Sequence, residues 1–278
     1  MTTGNAYSES SIDTIHQLVS SARQNAKSLR AQADEAARVQ QVWEELKSFI
    51  ERNWPLHIIA LIEKEASLLR QMRNAGDPSI QAIEEIFRAA KGQADGLRYR
   101  LPKYLEDASK ANSLHLDAES RHPRYSFYEG FFRVDVDDTK GIAKLSDNEG
   151  ELAKFPADTG AIVSAIQREY ARVFGRPFNG QSFIQKLRTQ YLAVLKKENL
   201  ADGTGLPIRS ITRRLGKNEK GFRTDEFLLD LSRLVQEGPT IIDGYQIDLQ
   251  QTKDTNQGML LHGQAGRGYV GFITFRKG

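Results

Sequence analysis

The first half of the chain places its apolar residues with the period of an α-helix. From Ile12 to Ile50 neither proline nor glycine interrupts the pattern, and apolar residues recur every seven positions. The two series are Ile15, Ala22, Leu29, Ala36, Trp43 and Ile50, and, four residues on from the first three, Val19, Ala26 and Ala33. A narrow apolar seam of this kind is typical of a coiled coil or a long helical hairpin. The seam therefore predicts one long helix that pairs either within the chain or with another chain.

Two further helical patterns follow before the character of the sequence changes. One covers about 56–74 after Pro55, and the other opens at Asp77-Pro78 and runs past Pro102, where we expect a kink or restart, to about Leu116. We therefore predict an all-helical region over residues 1–120. It either recruits a partner, associates with itself, or folds back as an intramolecular hairpin.

Residues 121–157 have the alternation of a small sheet. Phe132, Val134 and Val136 alternate with polar residues, which is the period of a half-buried strand. Turn sequences at 138–141 and 147–150 then separate two more short apolar runs. This pattern predicts a three-stranded β-meander.

The remaining region, 158–278, reads as helices followed by strands. Helical patterns begin at Asp158, at residue 181, at Ile208 and at Thr224, and strand patterns cover 241–249, 259–261 and 269–275. In the second helix we place Arg188 on the outside with Lys186, Lys196 and Lys197. The strand at 269–275 is apolar on both faces and is expected to be central or covered.

Composition narrows the functional classes. With no cysteine among 278 residues, a disulfide framework, a thiolate metal site and a catalytic thiol are all excluded. The first residues lack the pattern of a secretory signal, and the apolar runs are too short to cross a bilayer. We therefore expect a cytoplasmic protein with no membrane contact.

Positive charge is concentrated in one block. The formal net charge of the whole chain is only +3, yet residues 158–223 alone carry +8. The segment 209–223 contains one acid, Glu219, and six basic residues: Arg209, Arg213, Arg214, Lys217, Lys220 and Arg223. A localised cationic surface suits a polyanion such as nucleic acid, although a solvated basic face is the alternative.

The order helix, short helix, helix and then a β-hairpin resembles the broad winged-helix superfamily. The resemblance implies that the helix after the turn enters the major groove. That helix, 224–236, instead begins with acids and offers only Arg233 as a base-reading cation. The charge lies on the preceding helix and loop, which favours contacts to phosphates. Arg267, in the glycine-rich loop 263–268, is a further candidate at a predicted hairpin tip.

Signals for catalysis are weak. Asp135, Asp137 and Asp138 are near one another in sequence but lack the spacing of a calcium loop, and the five histidines lack metal-ligand spacing. We predict no cofactor and no resident metal, and keep a metal-dependent enzyme using these three aspartates only as a third hypothesis.

The fold prediction is thus an α+β protein, mostly α, with a long-helix region, a β-meander and a winged-helix-like domain. The function prediction is a non-enzymatic accessory subunit of a multiprotein machine that binds nucleic acid, with DNA as the expected form. A protein–protein adaptor without nucleic-acid contact is the alternative.

Overall fold

The structure, a computed structural model, describes residues 9–254, 256–262 and 268–278. The fold is α+β and mostly helical, with two antiparallel sheets. The chain divides into two compact units, Met1–Asp95 and Gly96–Gly278, so the predicted regions 121–157 and 158–278 fall within the second unit. No described helix combines the length and apolar composition that crossing a bilayer requires.

The first unit is built from helices. The long helix predicted from the heptad pattern is α1, Glu9–Glu51, and it is followed by α2, Pro55–Lys64, α3, Ala66–Asn74, and the first part of α4, Ser79–Ala111. Only the later part of α1 is packed. The buried core of the unit consists of Val42, Leu46, Ile58, Leu61, Ile62, Leu68, Ile83 and Ala90.

The earlier part of α1 has no such packing. From Ser10 to Arg38 every residue is exposed except the half-buried Ile12. The long helix is therefore present as predicted, but the described residues cover its apolar seam only towards its C-terminal end.

The second helix differs from the prediction because it is divided at Glu65. Glu65 is buried, and its carboxylate accepts a hydrogen bond of 2.7 Å from Arg38 of α1. The helical pattern of 56–74 gives no sign of this break, since the buried ion pair that accompanies it joins residues far apart in sequence. Conversely, α4 continues through Pro102 as one helix.

The second unit begins with a four-stranded sheet. Its strands are β1, Arg124–Phe127, β2, Phe132–Asp137, β3, Ile142–Ser146, and β4, Glu151–Pro156, paired antiparallel in sequence order. Phe132, Val134 and Val136 are buried as their alternation predicts. The strand β1 was not predicted, because its four residues give too short a pattern.

The rest of the second unit alternates helices with short strands. Its helices are α5, Thr159–Phe174, α6, Gly180–Glu198, α7, Ile208–Asn218, and α8, Thr224–Glu237. Its strands are β5, Leu206–Pro207, β6, Ile241–Ile242, β7, Tyr245–Gln251, β8, Met259–Leu260, and β9, Tyr269–Lys277. The sheet order is β5-β9-β7-β6, with β8 also paired to β9. The last strand, β9, lies between β5 and β7, which agrees with the prediction that it is central or covered.

One predicted surface residue is buried. Arg188 of α6 is 7% exposed, and its guanidinium forms an ion pair with Asp202 while lying 4.0 Å from the ring centroid of Tyr245. Its expected place outside α6 with the lysines was wrong. The long side chain of an arginine can pass over apolar surface when a carboxylate and aromatic rings receive its charged end.

Candidate nucleic-acid interface

The helix α7 separates apolar from basic residues. Ile208, Ile211 and Leu215 are fully buried in the core of the domain. Arg213 and Lys217, one turn apart, lie on the exposed side. Because residues three and four apart share a helix face, this spacing directs apolar side chains inward and cations outward.

We define the basic patch as Lys197, Arg213, Arg214 and Lys217. These residues line a shallow cavity of about 120 Å³ between the C-terminal end of α6 and α7. The lining is completed by Val194, Glu198, Ser210 and Asn218. Lys197 lies in the last turn of α6, where a cation is favoured by the helix dipole.

The charges of the patch are largely uncompensated. Among the described residues, Lys197, Arg213 and Lys217 form no ion pair, and all three are exposed. Arg214 is half-buried, and its Nε donates a hydrogen bond of 2.9 Å to the neutral Gln190. Glu198 is the one carboxylate in the lining. The patch therefore presents an excess of positive charge to solvent.

Arg209 does not belong to this exposed group. Its guanidinium lies 3.2 Å from a carboxylate oxygen of Glu149, in the turn between β3 and β4, and donates a hydrogen bond of 2.8 Å to the carbonyl of Gly258. These contacts direct the charge to a carboxylate and a carbonyl of the same unit, so Arg209 serves as an internal connection.

Two other predicted site residues, Lys220 and Arg223, do not line the cavity of the patch. Arg223 forms an ion pair of 3.2 Å with Asp225, and Lys220 is exposed in the loop before α8. Arg267 lies outside the described residues. The structure thus brings together three of the seven predicted residues, Arg213, Arg214 and Lys217, and adds Lys197.

The helix α8 has little surface to offer a groove. Phe227, Leu231 and Leu234 are buried in the domain core. The flanking stripe, Glu226, Asp230 and Arg233, contacts the C-terminal end of α5 and the residues just beyond it.

Ion pairs and hydrogen bonds account for this contact. Arg172 of α5 donates to Glu226 at 2.7 Å and to the buried Asp225, and Arg176 pairs with Asp230 at 2.9 Å. Arg233, the single cation predicted for base reading, donates to the carbonyls of Phe174 and Arg176. Both sides of α8 are therefore occupied within the domain.

The three aspartates considered for metal binding have separate partners. Asp135 pairs with Arg124, Asp138 lies 2.7 Å from His122 Nε2, and Asp137 accepts hydrogen bonds from the hydroxyl and backbone of Thr139. The hydrogen bond from the Thr139 hydroxyl, followed by that from Lys140, lowers the pKa of Asp137 to about 2. Across the described ranges, no cluster of three or more carboxylates and imidazoles is arranged to hold a metal ion.

A buried carboxylate lies elsewhere in the second unit. Asp147 is 5% exposed and lines a cavity of about 250 Å³ with Phe131, Leu228 and His262. Its Oδ1 accepts hydrogen bonds from the backbone of Glu149 and Gly150. Burial raises the pKa of Asp147 despite these two hydrogen bonds. Sequence reasoning treated 147–150 only as a turn, and nothing local marks this aspartate as buried.

Comparisons with protein-family models, with curated proteins and with solved structures found no significant match to this chain.

Proposed function

We propose that the segment from α6 to β9 is a winged-helix domain that binds the phosphate backbone of nucleic acid through the basic patch. The order of elements supports the winged helix. A helix precedes a short strand, two helices follow, and a hairpin completes a sheet in which β5 pairs with β9 and β9 with β7. The pairing of Leu206 with Ile273 is the feature that the sequence pattern did not contain.

The observation that carries the nucleic-acid function is the uncompensated charge of the patch. Lys197, Arg213 and Lys217 are held on two packed helices and have no carboxylate partner among the described residues. Cations held in this way neutralise phosphates without first breaking an internal ion pair. Binding of this type releases counterions and weakens steeply as salt rises.

The mode of binding follows from the enclosure of α8. A helix that is buried or half-buried from 224 to 234 offers few side chains to base edges, so the proposed contact is to backbone phosphates with little dependence on sequence. In this proposal the protein is an accessory subunit, in which α1 supplies association with a partner protein or a second copy.

The same enclosure favours a second candidate, a protein–protein adaptor. A winged-helix domain whose groove-binding helix is covered is suited to protein contacts, and the patch would then bind an acidic protein surface. Salt-dependent binding to nucleic acid distinguishes the two candidates.

The test compares duplex DNA, single-stranded DNA and RNA binding across a salt series. The patch variant changes Lys197, Arg213 and Lys217 to Ala. The matched control removes the same charge by changing Lys91, Lys154 and Lys277, three exposed lysines outside the patch, to Ala. For duplex DNA we expect the patch variant to lose at least about tenfold in affinity at low salt, with the slope of log K against log salt reduced by about 2–3.

The control variant should bind nearly as tightly as the wild-type protein. Wild-type protein that fails to bind any of the three nucleic acids at low salt would overturn the nucleic-acid function and leave the adaptor. Equal losses in the two variants would show that net charge, and not the patch, is responsible.

A further inference from the structure

We infer that the exposed part of α1 pairs antiparallel with α1 of a second copy of this chain. The observation is a helical segment, residues 13–37, in which every residue is exposed among the described parts of the chain, although its apolar seam is intact. Along this segment Ile15, Val19 and Leu29 are 58%, 42% and 65% exposed. This inference deepens the association role proposed for α1 and does not depend on nucleic-acid binding.

An isolated helix of this kind needs a partner. Most helical stability in proteins comes from packing of the apolar face, and single helices are marginal in water. The seam has the heptad spacing of a two-helix contact, with Ile12, Val19, Ala26 and Ala33 in one series and Ile15, Ala22, Leu29 and Ala36 in the other. The covering element must therefore carry a matching seam.

The seam of α1 matches itself when it is read backwards. In an antiparallel pair the two series face each other, and residue numbers across the contact add to a constant. With Ile12 opposite the second copy's Ala36, the next layers are Ile15 with Ala33, Val19 with Leu29, and Ala22 with Ala26. The two isoleucines at one end thus meet the two alanines at the other, so large side chains face small ones where the helix ends overlap.

A parallel pair lacks this complementarity. It would place each residue beside its own copy, so that two isoleucine layers lie at one end and four alanine layers, at 22, 26, 33 and 36, lie further along, whereas the antiparallel pair has alanine facing alanine only at its centre. Helices at one separation cannot fill both kinds of layer, and unfilled space costs stability. Side-chain size therefore favours the antiparallel arrangement.

Charge repulsion makes a small contribution against the antiparallel arrangement. The antiparallel register brings Arg23 beside Arg23 of the second copy at the centre of the contact. Both side chains belong to exposed positions, where repulsion is weak and is screened by salt. Association of α1 is therefore expected to be unaffected or strengthened by salt, whereas phosphate binding is weakened.

The size of the contact sets the expected affinity. Residues 12–36 span about 36 Å, and a helix about 10 Å wide gives a footprint on the order of 400 Å² for each copy. This lies in the range of weak and transient interfaces. The dimer should therefore be weak and should dissociate on dilution.

Cysteine cross-linking of the full chain tests the direction, and the absence of native cysteine gives a clean background. We expect a mixture of the Ile15→Cys and Ala33→Cys proteins to form a mixed disulfide on mild oxidation. Ile15→Cys alone should remain uncross-linked, because its two copies would lie about 27 Å apart along the antiparallel helices. Efficient cross-linking of Ile15→Cys alone, or no mixed disulfide at all, would overturn the inference.

Light scattering over a concentration series, without nucleic acid, tests the seam. Leu29→Asp places a charge in the contact and should leave a monomer at concentrations where wild-type protein is a dimer. The matched control Ala31→Asp adds the same charge on the opposite side of the helix and should remain a dimer. Wild-type protein that is monomeric throughout would contradict the inference.

The nucleic-acid binding assay distinguishes a failure of the dimer inference from a failure of the proposed nucleic-acid function. Leu29→Asp protein retains the basic patch and should keep its salt-dependent binding. Circular dichroism of the two Asp variants verifies that the rest of the chain is still folded.

Discussion

Arg209 and Arg213 lie one turn apart on α7, and their surroundings give them different roles. Arg209 is 35% exposed and contacts Glu149 and the carbonyl of Gly258, whereas Arg213 is exposed beside Lys197 and Lys217. The difference comes from the β3–β4 turn, whose carboxylate lies beside only one of the two. A basic residue of the same type in the same helix is thus a structural connection or a free charge according to long-range contacts.

This difference is measurable by substitution. Arg209→Ala removes a charged hydrogen bond to Gly258 and an ion pair, so we expect the free energy of unfolding to fall by about 1–2 kcal/mol. Arg213→Ala should change it by less than about 0.5 kcal/mol. Urea denaturation measures both values. Equal stabilities of the two variants would contradict the assigned roles.

Neutralising the buried carboxylate of Asp147 is expected to stabilise the fold. Because burial raises its pKa, the folded protein holds this proton more tightly than the unfolded chain, and the charged carboxylate costs stability at neutral pH. Asp147→Asn keeps an oxygen that accepts from Glu149 and Gly150 but removes the charge. We expect its urea midpoint to exceed that of the wild-type protein at neutral pH.

The advantage of Asp147→Asn should narrow as pH falls through the raised pKa of Asp147, since the wild-type carboxyl then becomes neutral too. Asp147→Ala, which lacks the accepting oxygen, should be destabilised at every pH. An advantage of Asp147→Asn that grows on acidification would show that the carboxylate is not buried as described.

At the scale of elements, the contact of α5 with α8 is the feature that most restricts function. Arg172 of α5 and Arg176, two residues beyond its end, together engage Asp225, Glu226 and Asp230 of α8. Burial alone would raise the pKa of Asp225, but its hydrogen bonds to Arg172 and Arg223 outweigh burial and lower it. The ionised carboxylate therefore contributes to the stability of this contact.

Removing that carboxylate should loosen the contact. Asp225→Asn is expected to lower the free energy of unfolding by about 2 kcal/mol at neutral pH, since Arg172 still keeps Glu169 and Glu226 as partners. The contribution is present above the ordinary pKa range of aspartate and is lost as pH falls through the lowered pKa of Asp225. The measurement is urea denaturation at neutral and acidic pH.

Glu237→Gln removes one charge from the exposed C-terminal end of the same helix and is the matched control. Its free energy of unfolding should be close to that of the wild-type protein. A loss in Asp225→Asn that is independent of pH would indicate a packing defect in place of the lost ion pairs.

The elements of this fold differ in how far the sequence predicts them. The helix α1 and the strand β2 follow from periodicity, and β9 follows from a continuous apolar run, because each is long enough to show its pattern. The short strands β1 and β5 give no such signal, since β5 is defined by its pairing with β9 almost seventy residues later. The burial of Arg188 was not predicted for the same reason, because Tyr245, whose ring contacts its guanidinium, lies in β7.

At the scale of the whole molecule, the location of the positive charge was predictable and its availability was not. Counting residues identified the region 209–223, but the carboxylates that engage Arg209 and Arg223 come from Glu149 and Asp225. Lys197 belongs to the patch because α6 packs on α7, and no local sequence pattern predicts that packing. Composition thus predicts the sign of a surface, while the packed structure determines which charges remain free.

The length of α1 has a consequence for the electrostatics of the first unit. Residues 10–37 span about 40 Å of helix before Arg38 makes the first contact with the packed helices, at Glu65. The Debye length at physiological ionic strength is about 8 Å, so a charge near the beginning of α1, such as Asp13, is screened along the helix from the core of its unit. Charges at the two ends of this helix therefore interact very weakly. Substituting charged residues near its beginning should not alter the titration of ionisable groups at the packed end.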